Sequence, residues 1–434
     1  MTTYLIRNAQ ILGGTPQDLY LAEGVIQQIG TDLAVAADVE IDARGLLVLP
    51  GLVDLHTHLR QPGKEEAETV LTGTQAAAMG GFTAVHAMAN TTPTADTAEV
   101  VEQVHRLALE AGYCDVHPVG AVTVGLDGKE KADWEGMHRS AAAVRVFSDD
   151  GKCVDDAVMM RAALEYAKSI DGVVAQHAQE PRLTEGAQMN EGLVSAELGL
   201  PGWPAVAEEA IIARDVALAA STGGRLHVCH LSTKGSVEIV RWAKARGLDV
   251  TAEVTPHHLL LTDELVRTGD AVYKVNPPLR TEEDVHALRA ALADGTIDAV
   301  GTDHAPHPEA DKTCAWAVAA MGMVGLETAL SVVQQTMVDT GLMNWQGVAD
   351  RMSHRPARIG RLTGQGRPVS VGEPANLVLF DPAYRGTVTP DAFATRSRNT
   401  PFKGLDLPGK VHATFLRGTA TVLAGALTEL GAAS

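Results

Sequence analysis

Four hundred and thirty-four residues with 45% hydrophobic and 21% charged side chains supply ample material for a core and too little charge for a disordered chain. The 54 acidic residues outnumber the 35 basic ones and leave a net charge of −19, a field that repels phosphate backbones and anionic membrane surfaces, so neither nucleic acid nor membrane is an expected partner. The opening residues MTTYLIRNAQ lack the basic-then-apolar order of an export signal, no run approaches the roughly 20 apolar residues of a membrane span, and the four cysteines are scattered without a CxxC pair; a reducing cytoplasm is expected.

Residues 1–50 read as short strands and turns, with TYLIRNAQIL, DLYLAEGVIQQIG and GLLVLPG broken by Gly-Gly and polar pieces. From residue 51 a short apolar run, a polar turn and an Ala-rich helical stretch recur. Eight such runs follow: GLVDLHTH, GFTAVHAMA, CDVHPVGAV, AVRVFSDD, VVAQHAQ, RLHVCHLS, DVTAEVTP and IDAVGTDHA, with ETVLTGTQAAAMG and DDAVMMRAALEYAKSI among the segments between them. That alternation predicts a closed α/β barrel of the (β/α)8 TIM type over residues 51–364. LTEGAQMNEGLVSAELGLPGWP, ahead of the helical AVAEEAIIARDVALAA, reads as a loop-like insertion at one barrel end. Beyond residue 365, ANLVLFD and HATFLRGTATVLAG return to strand texture, so residues 1–50 and 365–434 are predicted to build one small β-sandwich domain from both termini.

Buried parallel strands should be apolar, yet the carboxyl ends of these runs carry His and Asp, at the end of the barrel where active sites sit. The first run ends Asp54-Leu55-His56-Thr57-His58-Leu59-Arg60, and alternation puts His56 and His58 on one face. A lone HxH carries little weight. Asp149 and Asp150 end the fourth run, His177 lies in the fifth, His230 in the sixth, and Asp303-His304-Ala305-Pro306-His307 ends the eighth. Around one mouth these imidazoles and carboxylates suit two divalent ions bridged by a carboxylate; zinc tolerates the mixture, and cobalt or manganese also fit. His86, His117, His227, His105, His138, His286, His354 and His412 read as packing or surface residues, His257 and His258 as supports at most, and Cys229 as a small core residue. No GxSxG elbow, phosphate loop or complete dinucleotide fingerprint appears, which leaves metal-activated water as the strong nucleophile.

Taken together, Asp54-Leu55-His56-Thr57-His58-Leu59-Arg60-Gln61-Pro62-Gly63, Asn90-Thr91 with Pro93, Asn276-Pro277-Pro278-Leu279-Arg280 and Asp303-His304-Ala305-Pro306-His307 resemble the dihydroorotases of the amidohydrolase superfamily over nearly the whole chain. The resemblance implies reversible cyclisation of N-carbamoyl-L-aspartate to L-dihydroorotate in pyrimidine synthesis. It implies two Zn2+ per subunit held by His56, His58, His177, His230 and Asp303, with Asp150 shared between them, Asp149 being the alternative bridge, and Asp303 also carrying the proton. Many relatives place a carboxylated lysine at the fourth strand; Val146-Phe147-Ser148-Asp149-Asp150 has none, as in the class I bacterial branch. Implied substrate contacts are His58, Arg60, Asn90, Asn276, His307 and the backbone of Met321-Gly322, where relatives usually have Phe-Gly. A small-molecule substrate, a homodimer and association with aspartate transcarbamoylase follow from the same resemblance. Allantoinases and hydantoinases normally keep the lysine, and non-catalytic dihydroorotase-like subunits lose metal ligands. Pro308–Ala320, with Glu309, Asp311 and Lys312, is read as a lid over the bound ligand.

Overall fold

A computed structural model describes residues 2–430; residue 1 and residues 431–434, the outer ends of the two expected flanking segments, lie outside them. All eight expected runs form parallel strands, at Leu52–Thr57, Phe82–Ala87, Asp115–Pro118, Val146–Phe147, Val173–Gln176, Leu226–Val228, Val250–Val254 and Ala299–Val300. The first three make one arc and the other five a second. The arcs meet through isolated parallel bridges, Gly120 with Phe147 and Thr57 with His304, rather than through continuous ladders. The strands are buried along nearly their whole length, which is why they read as apolar runs rather than alternating ones.

Local chemistry sets the helices between them. Val70–Met79 starts in a capping box, Thr69 and Thr72 exchanging side-chain and backbone bonds of 3.1 Å. Ala157–Ser169 starts where Asp156 accepts the Met159 N–H at 2.7 Å. Val206–Thr222 stops at Gly223, whose φ of 66° is the left-handed conformation glycine adopts without strain.

The insertion before that helix is more ordered than a loop. Met189–Asn190 pairs with Gly202–Trp203, and the helix Leu193–Leu198 lies between them. Buried Arg280 holds it, donating to Asn190 Oδ1 and the Trp203 carbonyl at 2.9 Å and to Ser232 Oγ at 3.1 Å. Short runs of Gly, Pro and Asn hide such elements because a distant guanidinium, not local propensity, fixes them.

Both termini contribute to one nine-stranded sheet. Tyr4–Ile11, Pro16–Ala22, Val25–Gly30, Val39–Asp42 and Leu47–Pro50 join Leu377–Thr387, Asp406–Leu416, Thr419–Leu423 and Ala426–Leu427. The seam is Leu47–Pro50 running antiparallel to Leu377–Phe380. A shared core of Ile6, Leu19, Leu21, Val48, Leu377, Leu379 and Phe415 lies against it, with the Tyr4 and Phe415 rings edge to face at 5.0 Å. Between its last long strands the chain leaves the sheet, and residues 394–399 hydrogen-bond to the mouth of the strand arcs. Among the described residues no helix is long and apolar enough to cross a membrane.

Candidate active site

His56, His58, Asp150, His177, His230 and Asp303 converge, all buried, at the carboxyl ends of the first, fourth, fifth, sixth and eighth strands. Asp150 stands at their centre. Its Oδ2 lies 3.3 Å from both His56 Nε2 and His58 Nε2, and its Oδ1 lies 3.2 Å from both His177 Nδ1 and His230 Nε2. Asp303 Oδ1 is 3.0 Å from His58 Nε2 and 3.6 Å from His56 Nε2. Asp149 points away; it accepts from the Val122 and Thr123 N–H groups and from the Thr123 hydroxyl at 2.6–3.0 Å.

The far nitrogens of three rings decide what the near ones present. His56 Nδ1 meets Glu253 Oε1 at 2.7 Å, His58 Nδ1 meets Asn90 Oδ1 at 2.8 Å, and His177 Nε2 meets Gln179 Oε1 at 2.8 Å. Each partner is an acceptor, so each ring donates there and turns a lone pair toward Asp150. Lone pairs converging on a carboxylate repel unless a cation lies between them. His56 Nε2 is accordingly buried without a hydrogen-bond partner. His56, Asp150 and His230, and likewise His56, His58 and Asp303, bring ligand atoms within 4.8 Å of one another. These donor sets fit divalent metal ions.

The carboxylates are held ionised by positive charge on the facing rings, so protons stand there where no cation does. Burial works to raise the Asp150 carboxyl, yet His56, His177 and His230 hold it well below the usual carboxylate range. Burial likewise opposes ionisation of Asp303, and His58 and His56 overcome it. Three site residues hold left-handed backbone, Arg60 at φ 62°, His230 at 30° and Asp303 at 47°. Such conformations cost about 1–3 kcal/mol each and mark places where the surroundings dictate a side chain's aim.

A cavity of about 300 Å3 opens over the cluster. It is lined by His58, Arg60, Asn90, Asp150, His177, His230, Asn276, Asp303, His307, Met321 and Gly322, which brings every expected site residue except the deeper His56 onto one surface. Asn90 spends its Oδ1 on His58, and Asn276 gives its Nδ2 to Gln179 Oε1 at 3.1 Å while its Oδ1 is buried without a partner. His307 Nε2 lies 3.0 Å from the Met321 carbonyl, to which it donates; burial and Arg60 lower its pKa to about 3, so the ring is neutral. Gly322, at φ 148°, passes so close to that ring that a Cβ would stand 2.7 Å from His307 Nε2.

A dihydroorotase-like family model matches residues 45–236. The chain is 70% identical to the dihydroorotase of Streptomyces coelicolor over 99% of its length and all of that protein, and 63% identical to the dihydroorotase of Leifsonia xyli subsp. xyli over 98% of both. The chain belongs to the dihydroorotase family. The Mycobacterium tuberculosis dihydroorotase is 55% identical over 97% of this chain and 98% of the other. Among solved structures, L-hydantoinase (dihydropyrimidinase) from Arthrobacter aurescens superposes with a TM-score of 0.88 at 24% identity, covering 99% of this chain and 98% of that one. D-hydantoinase (dihydropyrimidinase) from Thermus sp. gives 0.82 at 27% identity, over 98% and 96%. The dihydroorotase fold is thus shared with proteins of other names, and the cavity must distinguish them.

Sequence reasoning missed the residues that support this dihydroorotase site. Glu253, fully buried in the seventh strand, takes His56 Nδ1 on one side and His227 Nε2 at 3.2 Å on the other. Burial opposes its ionisation, and His56 and His227 reverse that. Gly301 leaves room for it, since a Cβ there would lie 2.4 Å from Glu253 Oε2. A carboxylate inside the apolar run DVTAEVTP was the available signal. Asp54 ties the first strand to the eighth, accepting from the His56 N–H at 3.0 Å and the Thr302 hydroxyl at 2.5 Å; burial pushes its carboxyl up to about 7. Cys229 lies beside His56 and Glu253, but burial pushes its thiol up to about 12 and Glu253 already takes the ring. His258 is held by Thr255 and the Pro278 carbonyl, whereas His257 Nε2 has no partner and burial lowers that ring to about 4.

Glu253→Gln tests the support behind His56. Metal affinity is expected to fall about 10–100-fold, measured by competition with a chelator, because an amide can turn an N–H toward His56 and scramble its tautomer. Unchanged affinity would show that Glu253 does not orient the ring.

Proposed function

We propose that the chain is a dihydroorotase of the class I bacterial type, interconverting L-dihydroorotate and N-carbamoyl-L-aspartate. In this reading the two strand arcs act as one closed barrel, and residues 1–50 and 365–434 form its satellite. Arg60 carries the choice of substrate. The residue is 8% exposed, and its Nε donates to the Pro306 carbonyl at 3.0 Å. Among the described residues no carboxylate pairs with it. Burial lowers it only to about 10, so it remains a cation. Asp303, Asp150 and Glu68 act on it only without direct contact, and a buried cation lacking a paired carboxylate is costly, which a ligand carboxylate in the cavity resolves. Dihydroorotate carries one; hydantoin and allantoin do not.

The class I assignment is supported by Asp150, which stands where many relatives use a modified lysine and turns an oxygen to each histidine pair. His56, His58 and Asp303 would hold one Zn2+, His177 and His230 the other, with Asp150 between. When bound, such ions polarise the ring carbonyl and make hydroxide available near neutral pH.

The remaining steps belong to the chain. Arg60 grips the substrate carboxylate bidentately and fixes which ring bond faces Asp303. Asn276 Oδ1, unpartnered at the cavity wall, accepts a ring N–H. Asp303, ionised and facing the cavity, takes a proton at a carboxylate oxygen during ring opening and returns it to the departing amide nitrogen. Neutral His307, held by Met321, completes the wall without opposing Arg60 by charge.

Zinc-loaded protein offered dihydroorotate, allantoin and hydantoin in parallel is expected to open only the first ring at a substantial rate. Preferential hydrolysis of hydantoin would transfer the assignment to the hydantoinases.

A further inference from the structure

The segment read as a lid, Pro308–Ala320, carries the short helix Glu309–Lys312 and a turn at Trp316–Val318. Lys312 points inward from it and is 8% exposed. Its Nζ donates to the carbonyls of Ala320 at 2.8 Å and of Lys274 and Gly322 at 3.0 Å, and none of the three partners is a carboxylate. Lys274 answers from the other side, its Nζ donating to the Trp316 carbonyl at 2.6 Å and to that of Ala317 at 3.3 Å. Two lysine amino groups thus strap one segment through its backbone, and burial lowers that of Lys312 to about 7.

We propose that Lys312 is a positioning residue for substrate binding. Its ammonium joins the Lys274–Asn276 stretch to Met321–Gly322, so that both walls of the cavity are set by one group that does not itself line it. The proposal rests on the dihydroorotase reading above.

Three convergent carbonyls need three donors in tetrahedral array, and an ammonium is the side-chain group that has three. Burying it is costly, which argues for a purpose beyond filling space. The carbonyls come from two stretches, Lys274 on one and Ala320 with Gly322 on the other. Lys274 O also accepts the Gly322 N–H at 3.0 Å, and Gly322 O also accepts Asn399 Nδ2 at 3.2 Å. Because Gly322 N–H is committed there, the neighbouring Met321 N–H becomes the backbone donor of that pair for a ligand. Two residues beyond Lys274 is Asn276, which lines the cavity and whose Oδ1 is buried without a partner. Losing the ammonium would leave the Ala320 carbonyl without its donor and take one of two donors from those of Lys274 and Gly322, loosening the link between the walls, while His56, His58, Asp150 and Asp303, on other elements, keep their places.

Steady-state kinetics of zinc-loaded Lys312→Met is the test. KM for dihydroorotate is expected to rise about tenfold while kcat stays within about threefold, the scale of one lost charge-assisted contact. Bound metal should not change, and chymotrypsin should cut near Trp316 faster than in the wild type. A free-cation arm separates hydrogen bonding from charge: Lys312→Ala should recover KM with propylammonium but not with tetramethylammonium, which has no N–H. Unchanged KM in Lys312→Met, or loss of kcat together with metal, overturns the proposal. If Lys312→Met does not fold, Lys312→Gln, with two N–H donors, is expected to show an intermediate KM, and a wild-type KM there overturns it too. Wild-type enzyme that fails to open dihydroorotate would refute the parent reading instead.

Discussion

Asp303→Asn is expected to reduce kcat for dihydroorotate ring opening by about 10²–10⁴-fold, the range that a positioned proton carrier contributes. Asparagine keeps the shape and one oxygen near His58, but it cannot take a proton from the attacking nucleophile or pass one to the departing nitrogen. Arg60, Asn276 and His307 are untouched, so dihydroorotate should still bind, and calorimetry on the variant should give a dissociation constant close to that of the wild type. His56, His58, Asp150, His177 and His230 also remain, so much of the metal should be retained. This separation of turnover from binding is the signature sought. Near wild-type turnover would remove Asp303 from the chemistry.

Arg60→Ala is expected to act on the opposite side of that division. Truncating one partner of a buried charge pair costs about 2–5 kcal/mol, which places the rise in KM for dihydroorotate near 10²-fold. The same change should scarcely affect a cyclic amide without a carboxylate, so the ratio of kcat/KM between dihydroorotate and hydantoin is the quantity to measure. Arg60→Lys should recover part of the loss as a point charge, without the bidentate geometry. A KM unaltered in Arg60→Ala would mean that the guanidinium serves the Pro306 carbonyl alone.

The convergence of the proposed metal-binding side chains was legible because strands impose a period of two and parallel strands deliver their polar ends to one face. Alternation put His56 and His58 on one face, His177, His230 and Asp303 gave that pair weight by lying in or at the ends of other runs, and the family resemblance supplied the ligand set. The choice between Asp149 and Asp150 was not open to periodicity: the two are adjacent, and what separates them is that Thr123 occupies Asp149. Glu253 was visible as an oddity, a carboxylate in an apolar strand, but its partner His56 lies 197 residues away. Gln179 and Asn399 had no local signature, since a single amide in a loop resembles any solvated one. The ordered insertion was hidden for the same reason, being fixed by Arg280 from outside. The ladders expected from eight alternations are continuous within two arcs and reduced to isolated bridges between them, because strands of two residues, at Val146–Phe147 and Ala299–Val300, are too short for long ladders.

Asn399 has one more implication. Its Nδ2 donates to the Ala305 carbonyl at 3.0 Å as well as to Gly322, and nearby Thr395 bonds Glu68 behind the first strand. Leu377–Phe380 must also pair with Leu47–Pro50 before the terminal sheet exists. On the ribosome, every proposed metal-binding side chain therefore emerges well before the segment that braces the mouth. A nascent chain held at residue 364 would expose the proposed ligands with the rim unsupported, so competence for catalysis waits for residues 377–399 to emerge.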